Sequence, residues 1–299
     1  MQIFAGAYAA ITRQPADEVE EYYRLLAADP FVGGLEEPWT GAPFVDRGWP
    51  VVVTTIPGTM DALAVNPRFG LASLDGEGRA AAVADVAALH AEAIRLNEAR
   101  GSQVVRAVEL HSAPRRTAGD SSASALAMSL AEIATWDWQG AELLVEHCDA
   151  QVAGQGAAKG FLTIDEEIAA VTGLPVGILI NWGRSAIELR DADRVVEHIA
   201  AVRNAGVLRG LIFSGAASVD GDSVTAWADQ HLPVAREGGV GGEQLSLLTE
   251  ERIRAALTAA GAVDLLGLKI GWRGQSATAS ERAALVGRGL DVLDRLVAG

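Results

Sequence analysis

Short apolar runs alternate along this chain with longer segments in which apolar residues return at every third or fourth position. The first pattern suits buried strands, and the second lays side chains along one face of a helix. Strands are expected at Gln2 to Tyr8, Val32 to Glu36, Pro50 to Thr55, Gln103 to Leu110, Glu142 to His147, Val176 to Asn181, Leu208 to Phe213 and Val263 to Ile270. Between them, Val19, Tyr22, Tyr23 and Leu26 mark a first packed helix face, and Leu285, Leu290, Leu293 and Leu296 a last one. Thr163, Asp191 and Thr249 stand where helix N-caps are needed, and Gly101, Gly140, Gly173, Gly206 and Gly261 where a helix ends before a strand. Eight strand-then-helix units imply a parallel sheet, so the α/β class and a single (β/α)8 TIM barrel over residues 1–299 are expected. The stretch 214–246 after the seventh strand breaks the rhythm. An irregular segment of that length is usually functional or disordered, and its position places it at the catalytic end of a barrel.

Composition narrows the function classes. Hydrophobic residues at 49% and charged residues at 21% are those of a packed globular chain. A formal net charge of −15 repels phosphodiester backbones and anionic lipid surfaces, which argues against nucleic acid and membrane as partners. Cys148 is the sole cysteine, so no internal disulfide can form, and MQIFAGAYAA has no basic leader region. The expectation is a soluble, cytoplasmic protein whose partner is a small molecule, with a homo-oligomer left open.

In a barrel, the polar residues at the C-terminal strand ends are the candidates for chemistry. Leu143-Leu144-Val145-Glu146-His147 runs an apolar strand into two groups that are costly to bury unless paired or bound. Alternation sends them to opposite faces, and Glu146 is the one assigned to the mouth. Glu109 and His111 share a face by the same rule, and His111 is read as an acid-base partner or a ligand. Lys269, ending Leu266-Gly267-Leu268-Lys269, must find an anion there: Glu36, Glu146, or a substrate oxyanion or carboxylate. Arg184 offers a bidentate alternative, Asn181 and Tyr8 offer hydrogen bonds, and Trp182, Trp272 and Trp39 could stack on a sugar face. Asp229 and His231 form an Asp-x-His pair within the long loop.

The order of His111 after a strand, Ser129-Leu130-Ala131-Glu132-Ile133 on a helix and Glu146 ending the next strand resembles the xylose-isomerase-like TIM barrels. That superfamily includes sugar isomerases, epimerases and endonuclease-IV-like enzymes, and within it the chain looks closest to an uncharacterised, mainly actinobacterial family. The resemblance implies a divalent metal held by carboxylates and histidines on successive strands. Glu146 fits the first position, and Asp229, His231 and Gly238 to Gly242 resemble a stretch of the endonuclease branch. Asn181 with Arg184, Ser214 and Lys269 depart from the pattern at the last three strands. No cofactor is therefore expected; the alternative is Mn, Mg or Zn held by His111, Glu146, Asp229 and His231, which the charge of Lys269 opposes.

These readings lead to a carbohydrate-active enzyme, isomerase- or epimerase-like, working by proton transfer on a sugar or sugar derivative. Glu146, His111 and Lys269 carry the chemistry, while Asn181, Arg184, Trp182, Trp272, Tyr8 and Glu36 hold substrate. Two alternatives stay open. One is a glycoside hydrolase or lyase using Glu146 with Glu36 or Glu109; the other is a sugar-binding protein with a degenerate metal site.

Overall fold

A computed structural model describes residues 2–116, 120–274 and 276–298. Eight strands follow one another in sequence order around a closed barrel: β1 Ile3–Ala5, β2 Gly34–Pro38, β3 Val51–Thr54, β4 Val105–Leu110, β5 Glu142–His147, β6 Gly177–Asn181, β7 Leu208–Phe213 and β8 Leu265–Leu268. Two expected strands, β5 and β7, have the anticipated limits, and the others differ at their ends. β1, with three residues, and β8, with four, are the most shortened. The chain turns at Gly6, whose carbonyl accepts from Ala9, and Tyr8 opens the short helix Tyr8–Ile11 instead of ending the strand.

The chain divides into two compact units, Met1–Glu36 with Asn181–Ala200 and Gly210–Gly299, and Glu37–Ile180 with Ala201–Arg209. In the first, β1 pairs in parallel with both β2 and β8, and β7 pairs with β8 up to Phe213↔Leu268. Lys269 carries the ladder one step further, its N–H donating to Phe213 O at 2.8 Å. Helix Ala279–Ala298 packs against helix Ala16–Leu26, and Tyr22, Tyr23, Leu26, Leu285, Leu290 and Leu293 are buried. These are the apolar faces that the spacing of three and four anticipates, with Val19 and Leu296 only half-buried at the margins.

The stretch 214–246 belongs to this unit and has its own small core of Ala217, Val224 and Leu232, with Leu245 against it. Gly215 and Leu232 exchange backbone hydrogen bonds at 2.7 and 2.8 Å, and a 3-10 turn spans Glu243–Leu245. The irregular sequence thus folds as a packed loop instead of a bare connection.

In the second unit, β3, β4, β5 and β6 pair in parallel, with Thr54↔Glu109 and Glu109↔Leu144 in one row. Helix Gly76–Arg100 starts at Asp75, whose carboxylate accepts from Gly78 N, and ends at Gly101, whose φ of 62° lets the chain turn back toward β4. Gly140, Gly173, Gly206 and Gly261 also have positive φ, as their places before strands suggest. Thr163 caps helix Ile164–Val171 with a full capping box through Glu166, and Thr249 caps Glu250–Ala260. Asp191 does not cap a helix: it accepts from Asp193 N in a turn, and the next helix begins only at Val195.

Trp136 and Trp138 precede β5 and stack at 6.2 Å, with the His90 ring against both. They serve packing at the N-terminal ends of the strands, as expected from their position. Among the described residues, no helix is long and apolar enough to cross a membrane.

Candidate active site

The second unit carries the tightest polar cluster, and strand register explains it. Glu109 stands opposite Leu144 in the β4–β5 ladder, so two residues further on His111 is level with Glu146 and on the same face. Both side chains are fully buried, and His111 Nε2 lies 2.8 Å from Glu146 Oε2. The other ring nitrogen, Nδ1, is 2.9 Å from Thr55 Oγ1, which itself lies 3.0 Å from the carbonyl of Glu109. Thr55 has one hydroxyl proton. When that proton goes to the Glu109 carbonyl, Nδ1 must donate, and Nε2 becomes the nitrogen that trades a proton with Glu146.

His147 faces the other way. Its Nδ1 lies 2.7 Å from Glu167 Oε2 on helix Ile164–Val171, while Ser112 Oγ donates to Glu167 Oε1 at 2.5 Å. Ser112, His147 and Glu167 are all buried. Glu167 was not visible as a functional residue from the strands alone. Its signal is its spacing: it shares the apolar face of Ile164, Ala170 and Val171, where a carboxylate needs partners.

Asp85 of helix Gly76–Arg100 and His111 both line a small cavity with Thr55, Thr59 and Phe69. Burial raises the Asp85 carboxyl above its ordinary value, an effect opposed by the Trp39 indole, which donates to Asp85 at 3.1 Å. A carboxyl raised on folding stabilises most at low pH. That contribution is lost as pH climbs from the ordinary carboxylate value to the raised one. Asp85→Asn keeps the acceptor for Trp39 and is expected to stabilise the protein at pH 7, by less than about 1 kcal/mol after solvent screening. The gain should vanish near pH 3; urea unfolding at both pH values measures it, and an equal effect at both would refute the assignment.

The first unit holds the cationic residues. Lys269 Nζ is ion-paired with Glu36 Oε1, both buried, and lies 5.6 Å from the centre of the Tyr8 ring. The Tyr8 hydroxyl is 3.5 Å from the same Glu36 oxygen. Gly6 makes room for this pair, since a Cβ there would come within 2.8 Å of Glu36 Oε2 and the Lys269 stem.

Asn181 caps helix Trp182–Leu189: its Oδ1 accepts from Arg184 N at 3.3 Å and from Ser214 Oγ at 2.9 Å. Its oxygen thus joins the start of the helix to the end of β7. Arg184 is 1% exposed and its Nε lies 3.2 Å from Asp229 Oδ2, while His231 Nδ1 lies 3.2 Å from Asp229 Oδ1. Asp229 and His231 are thus brought from the long loop to Arg184 in the helix Trp182–Leu189 that follows β6. Arg273, absent from the sequence reading, has its guanidinium pKa lowered by burial, which the Asp229 carboxylate counters.

The tryptophans divide. Trp182 is 1% exposed, and Trp39 is 4% exposed with its N–H donating to Asp85. Trp272 stays half-exposed, with the Arg282 guanidinium 5.9 Å from its ring centre. The four residues named for a metal form two pairs, His111 with Glu146 in one unit and Asp229 with His231 in the other.

A closed eight-stranded parallel barrel with its polar residues at the C-terminal strand ends defines the class: the protein is a (β/α)8 TIM barrel, similar in fold to xylose-isomerase-like proteins. It resembles a putative xylose isomerase from Rhodospirillum rubrum, at a TM-score of 0.61 and 10% identity over 98% of each chain. It also resembles D-psicose 3-epimerase from Clostridium cellulolyticum H10, solved with D-tagatose, at a TM-score of 0.59 and 12% identity over 100% of this chain and 99% of that one. At those identities the likeness concerns the fold. Residues 4–285 match the family described as Domain of unknown function (DUF4862), and the chain belongs to that family. A Salmonella typhimurium relative, Uncharacterized protein STM3670, is 35% identical over 310 residues, covering 97% of this chain and 96% of its own length.

Proposed function

We propose that this chain is an isomerase- or epimerase-like enzyme that moves a proton at a carbon beside the carbonyl of a sugar or sugar derivative. The observation that carries the reading is the 2.8 Å contact between fully buried His111 Nε2 and Glu146 Oε2 at the ends of adjacent strands. Such a pair exchanges one proton over a short path away from bulk water, which is what general acid-base work requires. Glu146 takes the role of base and His111 that of its acid-base partner. Lys269 and Arg184 stabilise the negative charge that develops on the enediol-like intermediate. Tyr8 and Glu36 hold hydroxyls of the substrate, Trp272 offers a ring face, and Asn181 and Trp182 support the site from the fold.

The xylose-isomerase-like fold raises a resident divalent metal as a question, and the donor set speaks against one. Both ring nitrogens of His111 are engaged, and the Asn181 oxygen accepts two hydrogen bonds. The reaction is therefore assigned to side chains alone, with Mn, Mg or Zn as the alternative. In the glycoside hydrolase alternative Glu36, paired with Lys269, would serve as the ionised carboxylate and not as the acid.

The test is incubation with a panel of ketoses, aldoses and their keto derivatives in deuterated water, read by mass spectrometry. Deuterium entry beside the carbonyl, unaffected by a chelator and lost in Glu146→Gln, is expected. An absence of exchange across the panel removes the reading, and exchange that a chelator stops and manganese restores makes the metal alternative correct.

A further inference from the structure

The β4–β5 ladder runs as far as Leu110↔Val145, and His111 and Glu146 lie one step beyond it. Backbone pairing of the two strands thus stops just short of the pair that needs the most defined separation. The next residues of both chains are then joined by one side chain. Ser112, directly after His111, donates to Glu167 Oε1 at 2.5 Å, and His147, directly after Glu146, meets Glu167 Oε2 at 2.7 Å.

We infer that Glu167 is a positioning residue that fixes the His111–Glu146 separation by clamping the residue that follows each member; this rests on the proposed role of the pair. Its two carboxylate oxygens face the two strand ends separately, so a single rigid plane spans the gap that the ladder leaves open. The carboxylate is fully buried, and strong charge-assisted bonds hold best where water cannot compete. Its own placement is secured by the start of helix Ile164–Val171. There the capping box of Thr163 and Glu166 locks the first turn, and Arg116, from the chain beyond β4, is ion-paired with Glu166. Arg116 N also donates to Gly160 O at 3.0 Å, so the segments after β4 and β5 are held together at the same level. Side chains that orient a reacting pair in this way change its geometry by fractions of an ångström, which catalysis registers.

The experiment compares wild type with Glu167→Gln, Glu167→Leu and Ser112→Ala, using 15N-histidine NMR of the His111 ring and the deuterium-exchange rate. Glu167→Leu removes both contacts and is expected to lower kcat about 10–100-fold with KM little changed. In the same variant the Nε2 resonance of His111 should leave its wild-type position. Ser112→Ala releases one contact without burying an orphan charge and is expected to show a smaller change of the same kind. Glu167→Gln, which can still accept from Ser112 and donate to His147, should recover most of the wild-type signature. If Glu167→Leu does not fold, Ser112→Ala decides alone: a wild-type His111 spectrum and rate in a folded variant overturn the inference. An altered His111 spectrum in Glu167→Leu, alongside a Glu146→Gln variant of full activity, upholds the clamp and removes the proposed chemistry instead.

Discussion

Replacing Lys269 with methionine is expected to cost about 3–5 kcal/mol of folding stability, because it leaves the buried Glu36 carboxylate without its ammonium. Lys269 is 0% exposed and Glu36 is 2% exposed, so bulk water cannot take the place of the lost charge. Methionine preserves most of the volume of the stem, which separates the electrostatic cost from a cavity. The pair as a whole should be worth far less than the single variant suggests, since removing both charges also removes both desolvation penalties. Lys269→Met with Glu36→Gln is therefore expected to recover most of the loss. Urea unfolding of the two singles and the double forms the cycle. A single-variant cost below about 1 kcal/mol would mean that Glu36 is held by other groups to a degree that makes Lys269 dispensable.

Glu146→Gln should abolish the proposed proton transfer, lowering kcat by about 10²–10⁴-fold. His111→Asn should do nearly as much, and the double variant little more than either, because two groups that pass one proton act as a unit. The measurement is the deuterium-exchange rate on a substrate identified by the panel, with stability followed in parallel. Losses that simply multiply in the double variant would indicate two independent contributions and break the paired mechanism. The geometric basis is the register of β4 and β5, which brings two side chains 35 positions apart in sequence to 2.8 Å.

Much of the fold was legible because barrel physics writes itself locally. An apolar run of strand length, a helix with one apolar face and a glycine at the turn back are short-range signals, and most of the units repeat them, although β2 runs on to β3 without the expected helix. The limits of β1 were less legible. Gln2 to Tyr8 reads as one run, yet the strand ends at Ala5, and a side chain at Gly6 would crowd Glu36 and Lys269, which lie far away in sequence. Asp191 is a similar case: a carboxylate before a helical pattern satisfies the backbone as well in a turn as in a cap, and the sequence contains both solutions.

The candidate site divides along the same line. By itself the sequence determined which polar groups end the strands, since an apolar run terminating in Glu146 or Lys269 must place a charged group at the barrel rim. Alternation also determined that Glu146 and His147 face opposite ways. Tertiary structure alone decided the partners. Lys269 could have met Glu36, Glu146 or an open site, and it is the pairing of β1 with both β2 and β8 that brings it to Glu36. The Asn181 oxygen caps a helix and receives Ser214, two partners that lie outside its own strand. Glu167 lay unnoticed in a helix whose other buried residues are apolar, because its meaning depends on two strands that it does not adjoin in sequence. The physical reason is that secondary structure follows from interactions over a few residues. The worth of a buried charge depends instead on whatever the folded chain places within about 4 Å of it.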